Sequence, residues 1–223
     1  MRAAALVVLL AGATVLAQDD DYQTWSQDRV AEVVEGAFSD GKVGSRTLLF
    51  WTGWDTRLLK TERAQNYKLR ATWFTPDVVR ASARYAQMKS RLSADDTRKL
   101  VQEAEAAGET VVVVDIDPNE GSGVVPMDWE AFLRPKDAPS ESGRFVRGVI
   151  TEDLRKVRAL QPIAQRNYDY DRYWVVFPLK TESGVPLFGP GDTTAELLVR
   201  IYNREGVVSW PIRADVRARL APR

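Results

Sequence analysis

Residues 67–73 read YKLRATW and residues 111–116 read VVVVDI, and these two stretches decide the fold. In the first stretch, apolar side chains alternate with polar or small ones, which is the period of a strand that buries one face. The alternating apolar positions are Tyr67, Leu69, Ala71 and Trp73. The second stretch is continuous and β-branched, so it predicts a central strand covered on both faces.

Five further stretches carry the pattern of short strands. They are residues 48–51, 145–150, 173–179, 197–202 and 207–212. The last two flank residues 203–206, which read NREG, and we expect Gly206 to supply the left-handed residue of a four-residue hairpin turn. Short strands joined by turns of this kind predict an antiparallel sandwich.

Helical patterns interrupt the strands. Thr75-Pro76-Asp77 has the composition of a helix start, and apolar residues then recur at three- and four-residue spacing up to Leu92. Ser93 and the acids after it start a second helix, which Gly108 ends. Apolar residues at helical spacing between 30 and 38 predict one more helix. The predicted fold class is therefore α+β: a mainly antiparallel β-sandwich of about six to eight strands, with an inserted two-helix hairpin at 76–107 and a short N-terminal helix.

Composition excludes several kinds of chemistry. The chain has 223 residues, 31 Lys and Arg against 31 Asp and Glu, and neither cysteine nor histidine. Nucleophilic catalysis that needs histidine or cysteine is excluded, as are zinc, copper and haem sites built on those residues. The formal net charge of the chain is zero, which disfavours a nucleic-acid partner, since binding to backbone phosphates needs an excess of basic residues.

The first residues have the features of a secretory signal peptide. Arg2 precedes an apolar run to Ala13, small residues stand at Val15 and Ala17, and an acidic run follows from Asp19. The apolar run is too short to span a bilayer, which needs about 20 residues. We therefore expect a signal peptide at 1–17, a cut after Ala17, and a single sandwich-like domain at 18–223 in the periplasm or secreted.

Residues 115–121 read DIDPNEG, and they offer a weak calcium hypothesis. Asp115, Asp117 and Asn119 place oxygen ligands at alternate positions, as hard cations prefer. Glu120 stands where an EF-hand needs glycine, so that motif is excluded. The alternative is a polar turn that leaves a strand. Calcium is the only cofactor that we consider.

Two tryptophans have polar or glycine neighbours in the sequence, and they suggest a surface on which a glycan could stack. Trp54 lies between Gly53 and Asp55, and Trp129 lies between Asp128 and Glu130. An exposed indole ring can stack on a sugar, but core packing is the commoner use of tryptophan. Asp115, Asp117, Asp128 and Glu130 are the carboxylates that a glycosidase would have to use. Since acidic residues are plentiful, their clustering in sequence is weak support, and we assign no catalytic residue.

Residues 167–173 read NYDYDRY, and they suggest a partner surface. If this segment is extended, its tyrosines lie on one face and its carboxylates on the other. The candidate contact residues are Tyr168, Tyr170, Arg172 and Tyr173, of types that are favoured at interfaces. The alternative is an edge strand whose charges discourage aggregation.

These observations predict an exported, non-catalytic binding or assembly module. We expect a protein partner in the cell envelope or the extracellular space, no nucleic acid, and no membrane-spanning segment after the signal peptide. The alternative is a carbohydrate-active protein, either a lectin-like binder or a glycosidase.

Overall fold

The structure is a computed structural model that describes residues 21–43, 67–108, 110–118, 124–137, 143–163, 170–202 and 204–212. It is an α+β fold with two antiparallel sheets, which confirms the predicted sandwich and helical hairpin. The predicted signal peptide and the predicted strand at 48–51 lie outside the described residues. Within these ranges, no helix has both the length and the apolar character needed to cross a bilayer.

The helices and strands follow one another along most of the described chain. The α-helices are Gln27–Glu35 (α1), Pro76–Ser90 (α2) and Ala94–Glu105 (α3). The strands are Phe38–Val43 (β1), Tyr67–Phe74 (β2), Thr110–Pro118 (β3), Glu130–Pro135 (β4), Val146–Arg147 (β5), Val149–Thr151 (β6), Asp171–Phe177 (β7), Thr194–Ile201 (β8) and Arg204–Pro211 (β9). One sheet has the order β1-β2-β3-β7-β6, and the other has the order β5-β4-β8-β9.

Two hydrophobic cores make the molecule three layers deep. The first core lies between the sheets and includes the alternate β2 residues predicted to be buried, Leu69 and Trp73 among them. The second lies between the five-stranded sheet and the helices. Strand β3 faces both cores, with Val112 in the first and Val113 in the second, which explains its unbroken apolar run. We call the side of this sheet that carries Val113 its helix-side face.

The helical hairpin begins and ends close to the predicted positions. Pro76 is the first residue of α2, although the Thr75 side chain makes no capping hydrogen bond. The Ser93 hydroxyl accepts a hydrogen bond from the Asp96 amide at 3.1 Å and starts α3. The N-terminal helix is shorter than predicted: α1 ends at Glu35, because the chain enters strand β1 at Phe38.

Two strand predictions are wrong in detail. The predicted strand at 145–150 is two short strands in different sheets, joined by Gly148. A Cβ atom at Gly148 would lie 2.7 Å from a ring carbon of Phe177, so glycine permits the crossing. The hairpin of β8 and β9 is also tighter than predicted, because Ile201 pairs with Arg204. Its left-handed residue is Tyr202, with φ of 53°, and Gly206 lies inside β9.

Candidate functional site

Of the two candidate glycan-stacking tryptophans, only Trp129 lies in the described part of the chain. It belongs to the core between the sheets with 4% of its surface exposed. Its ring meets that of Tyr173 edge to face at a centroid distance of 5.0 Å. In this position Trp129 presents no face to a sugar, so it gives the carbohydrate hypothesis no support. Trp54 is outside the described residues.

The tyrosines of the predicted partner surface do not share one face. Tyr170 and Arg172 lie on the helix-side face, whereas Tyr173 packs against the core between the sheets. Burial raises the pKa of Tyr173, and the carboxylate of Asp171 adds to the rise. Strand β7 lies between β3 and β6, but β6 pairs only with the last residues of β7, starting at Trp174. Tyr168 lies outside the described residues.

The proposed calcium ligands lie within a strand and not after it. Asp115 and Asp117 are both residues of β3, and Asn119 falls outside the described residues. Both oxygens of Asp115 accept hydrogen bonds from Arg172, Oδ1 from Nε at 2.6 Å and Oδ2 from Nη2 at 2.9 Å. In the ranges that the structure describes, no three side chains of metal-binding type cluster together. The calcium hypothesis stays a prediction.

The candidate glycosidase carboxylates are divided between the two sheets. Asp115 belongs to the five-stranded sheet, while Glu130 belongs to β4 of the other. Glu130 lies on the outer face of the four-stranded sheet, 2.9 Å from Arg147 and 3.8 Å from Arg200. Arg200 is also 2.8 Å from Glu205. We call Glu130, Arg200 and Glu205, which neighbour one another across β4, β8 and β9, the outer charge row.

A second set of charges crosses the helix-side face of the five-stranded sheet. Its members occupy paired register positions on β1, β2, β3 and β7. They are Asp40, Arg70, Asp115 and Arg172, and we call them the covered charge row. Opposite charges therefore alternate across four strands, an arrangement that favours this register over its neighbours. The pair of Asp115 and Arg172 is almost fully enclosed, with 5% and 14% of the side chains exposed.

Arg70, a member of the covered charge row, lines an adjoining cavity. Its Nε donates to Asp40 Oδ1 at 2.9 Å, and its guanidinium carbon lies 5.6 Å from the ring centres of Phe38 and Tyr170. The hydrogen bond that Arg70 donates to Asp40 is the main cause that raises the pKa of Arg70. Burial lowers this pKa, and the charges of Asp40 and Asp115 raise it further. Arg70 is therefore a fixed cation.

The cavity beside Arg70 has a volume of about 490 Å³. It lies between α1 and the helix-side face of the sheet, next to α2. Its apolar wall consists of Val30, Ala31, Val34, Phe38, Tyr85 and Ile163. Gln27, Glu35 and Arg70 are the polar members of the lining. The site is a half-open apolar cavity with a cation on its sheet side, and such a cavity suits a small molecule with an apolar body.

Sequence reasoning did not identify this site. Residues 38–43 read FSDGKV and lack apolar alternation, so β1 was not predicted, and Asp40 had no assigned place. Arg70 stood on the polar side of a predicted strand, where a solvated charge is the ordinary interpretation. The one available signal was the helix around Val30 and Val34, whose apolar side needs something to cover it.

Comparison with known proteins identifies no family. No protein-family model matches the chain, and no curated protein matches it. It is similar to a solved structure described as a novel protein of unknown function from Burkholderia pseudomallei K96243, at 14% sequence identity and a TM-score of 0.39. That similarity covers 95% of this chain and 92% of the other.

Proposed function

We propose that this protein is an exported, non-catalytic binding module and that the cavity under α1 is its binding site for a small apolar or amphipathic molecule. Export is supported by the signal-peptide pattern of residues 1–17. The observation that carries the binding role is the cavity itself, whose 490 Å³ falls within the range of about 300 to 1,000 Å³ of small-molecule sites.

The chemistry of the lining favours binding without turnover. Glu35 is the only carboxylate among the lining residues that the structure describes. Glycoside hydrolysis by carboxyl groups uses two of them on opposite sides of the reacting bond. The chain has no histidine or cysteine to replace the second group.

Ligand binding at this cavity is linked to the stability of the fold. A molecule that lies in it gains dispersion contacts with the apolar lining and stabilises the folded state in proportion to its occupancy. Helix α1 supplies Val30, Ala31 and Val34 to the apolar wall, so we expect ligand binding to stabilise the docking of α1 against the sheet.

The test uses a neutral fluorescent probe, N-phenylnaphthylamine, titrated into the protein produced from the full-length chain. We expect saturable fluorescence enhancement with the natural protein. Val34→Trp, which places an indole ring in the cavity, should weaken it strongly. Val149→Trp is the matched control, because it places the same side chain on the exposed strand β6 of the same sheet, and it should leave binding unchanged.

Ala31→Phe is a second cavity-filling variant, for use if Val34→Trp does not fold as judged by circular dichroism. Ala31 lies on the exposed side of α1 and also lines the cavity. The proposal is overturned if the natural protein shows no saturable binding, or if a folded cavity-filling variant binds the probe as the natural protein does.

A further inference from the structure

We infer that the cavity under α1 selects a single-chain amphiphile with a carboxylate head, which pairs with the Nη edge of Arg70 while its tail lies along the apolar wall of α1. This inference rests on the proposed function, because it concerns the same cavity. It adds the chemical class of the ligand and the residue that recognises the head group.

The hydrogen-bonding capacity of Arg70 is only partly used. Arginine carries N–H donors on Nε and on both terminal nitrogens. The Nε donor is taken by Asp40. Phe38 and Tyr170 contact the guanidinium through their rings, which occupies none of its N–H groups. Within the described residues no other hydrogen bond reaches the guanidinium group of Arg70, so the donors of Nη1 and Nη2 are left for a ligand.

The geometry of those donors specifies the head group. The two terminal nitrogens of a guanidinium present parallel N–H groups at the spacing of the two oxygens of a carboxylate. Arg70 is 29% exposed, whereas its partner Asp40 is 70% exposed. The guanidinium is therefore partly shielded from water, which strengthens a charge-assisted hydrogen bond to it.

The covered charge row keeps Arg70 in position. Asp40 holds its Nε from β1, and Asp115 lies at the paired position on β3, where its charge favours the cation. Since Arg70 belongs to a strand and not to a loop, little ordering is required when the ligand binds.

The remaining lining suits the tail and argues against a cationic head. Val30, Ala31 and Val34 lie within a turn and a half of one helix, and Ile163 continues the apolar wall. Glu35 is the only anionic group among the lining residues that the structure describes, and it is exposed on the last turn of α1. Its attraction for a cation is screened by water, so Arg70 determines the preference.

The experiment displaces N-phenylnaphthylamine with three ligands that share a tail and differ in the head: decanoate, decanol and decyltrimethylammonium. We expect decanoate to displace the probe at a concentration about tenfold lower than decanol, as one charge-assisted hydrogen-bonded pair requires. The cationic ligand should be weaker than decanol. Arg70→Gln should weaken decanoate binding far more than decanol binding and so abolish the preference for decanoate, whereas a merely structural role of Arg70 would weaken the binding of both alike.

Arg200→Gln is the matched control, since it removes an ion-paired strand arginine from the other sheet, and it should retain the preference for decanoate. Arg70→Lys, which keeps the charge but loses the paired donors, replaces Arg70→Gln if the latter does not fold, and we expect a reduced preference for decanoate.

Equal affinity for all three heads would overturn this inference and leave the proposed function standing, as would a decanoate preference that survives in Arg70→Gln. Failure of the natural protein to bind the neutral probe would overturn both.

Discussion

The covered and outer charge rows share a pattern of alternating charges but differ in their exposure to water. Each places opposite charges at paired positions on neighbouring antiparallel strands. The covered row lies on the helix-side face of the five-stranded sheet, and its pair of Asp115 and Arg172 is nearly inaccessible to water. The outer row lies on the exposed face of the four-stranded sheet, where Arg200 reaches two carboxylates and stays half-exposed.

The same alternation of charges therefore contributes differently to stability when it is buried and when it is exposed. In water, an ion pair gains little, because solvent screens it and long side chains lose freedom. In an enclosed setting, the loss of one partner leaves a charge that nothing solvates. The covered row also adjoins a cavity, which Arg70 lines together with apolar side chains.

The largest effect is expected from removing Asp115. Asp115→Ala leaves Arg172 buried without its partner, and we expect the free energy of unfolding to fall by about 3 to 5 kcal/mol in urea denaturation. The double variant Asp115→Val, Arg172→Leu is the control, because an apolar pair needs no ionic partner, and it should recover most of the loss. A loss below about 1 kcal/mol for Asp115→Ala would mean that the covered pair behaves as a surface pair.

A smaller effect is expected in the outer charge row. A double-mutant cycle with Glu205→Gln and Arg200→Gln should give a coupling free energy below about 1 kcal/mol. Salt of about 1 M, where the screening length is about 3 Å, should remove most of that coupling. The same salt should leave the coupling of Asp115 with Arg172 largely intact. Equal salt sensitivity of the two cycles would contradict the distinction drawn from burial.

The smallest effect concerns Tyr173, which follows Arg172 along β7 and faces the opposite core. Burial raises the pKa of Tyr173 above its ordinary value of 10.0. The unfolded chain therefore loses this proton first as the pH rises, and the folded state loses stability above that value. Tyr173→Phe should show a shallower decline in the free energy of unfolding from neutral to alkaline pH. Parallel pH profiles of the two proteins would refute this assignment.

Sequence patterns predicted the layers of the fold better than the site. Alternation in residues 67–73 identified the buried face of β2, and the β-branched run identified β3 as central, because both signals lie within one strand. Asp115 was noticed only as a candidate calcium ligand or catalytic carboxylate. Its partner Arg172 was assigned to a separate partner surface, 57 residues away along the chain.

The sequence by itself determined the alternating residues of the strands, the first residues of α2 and α3, and the kinds of catalysis that are excluded because the required residues are missing. Each of these depends only on composition or on neighbours within a few positions. Only the tertiary structure decided that Asp40, Arg70, Asp115 and Arg172 form one row, that residues 146–151 change sheets at Gly148, and that Trp129 is buried. Strand register and layer packing join residues that are distant in the chain, and no local pattern specifies which distant strand becomes the neighbour.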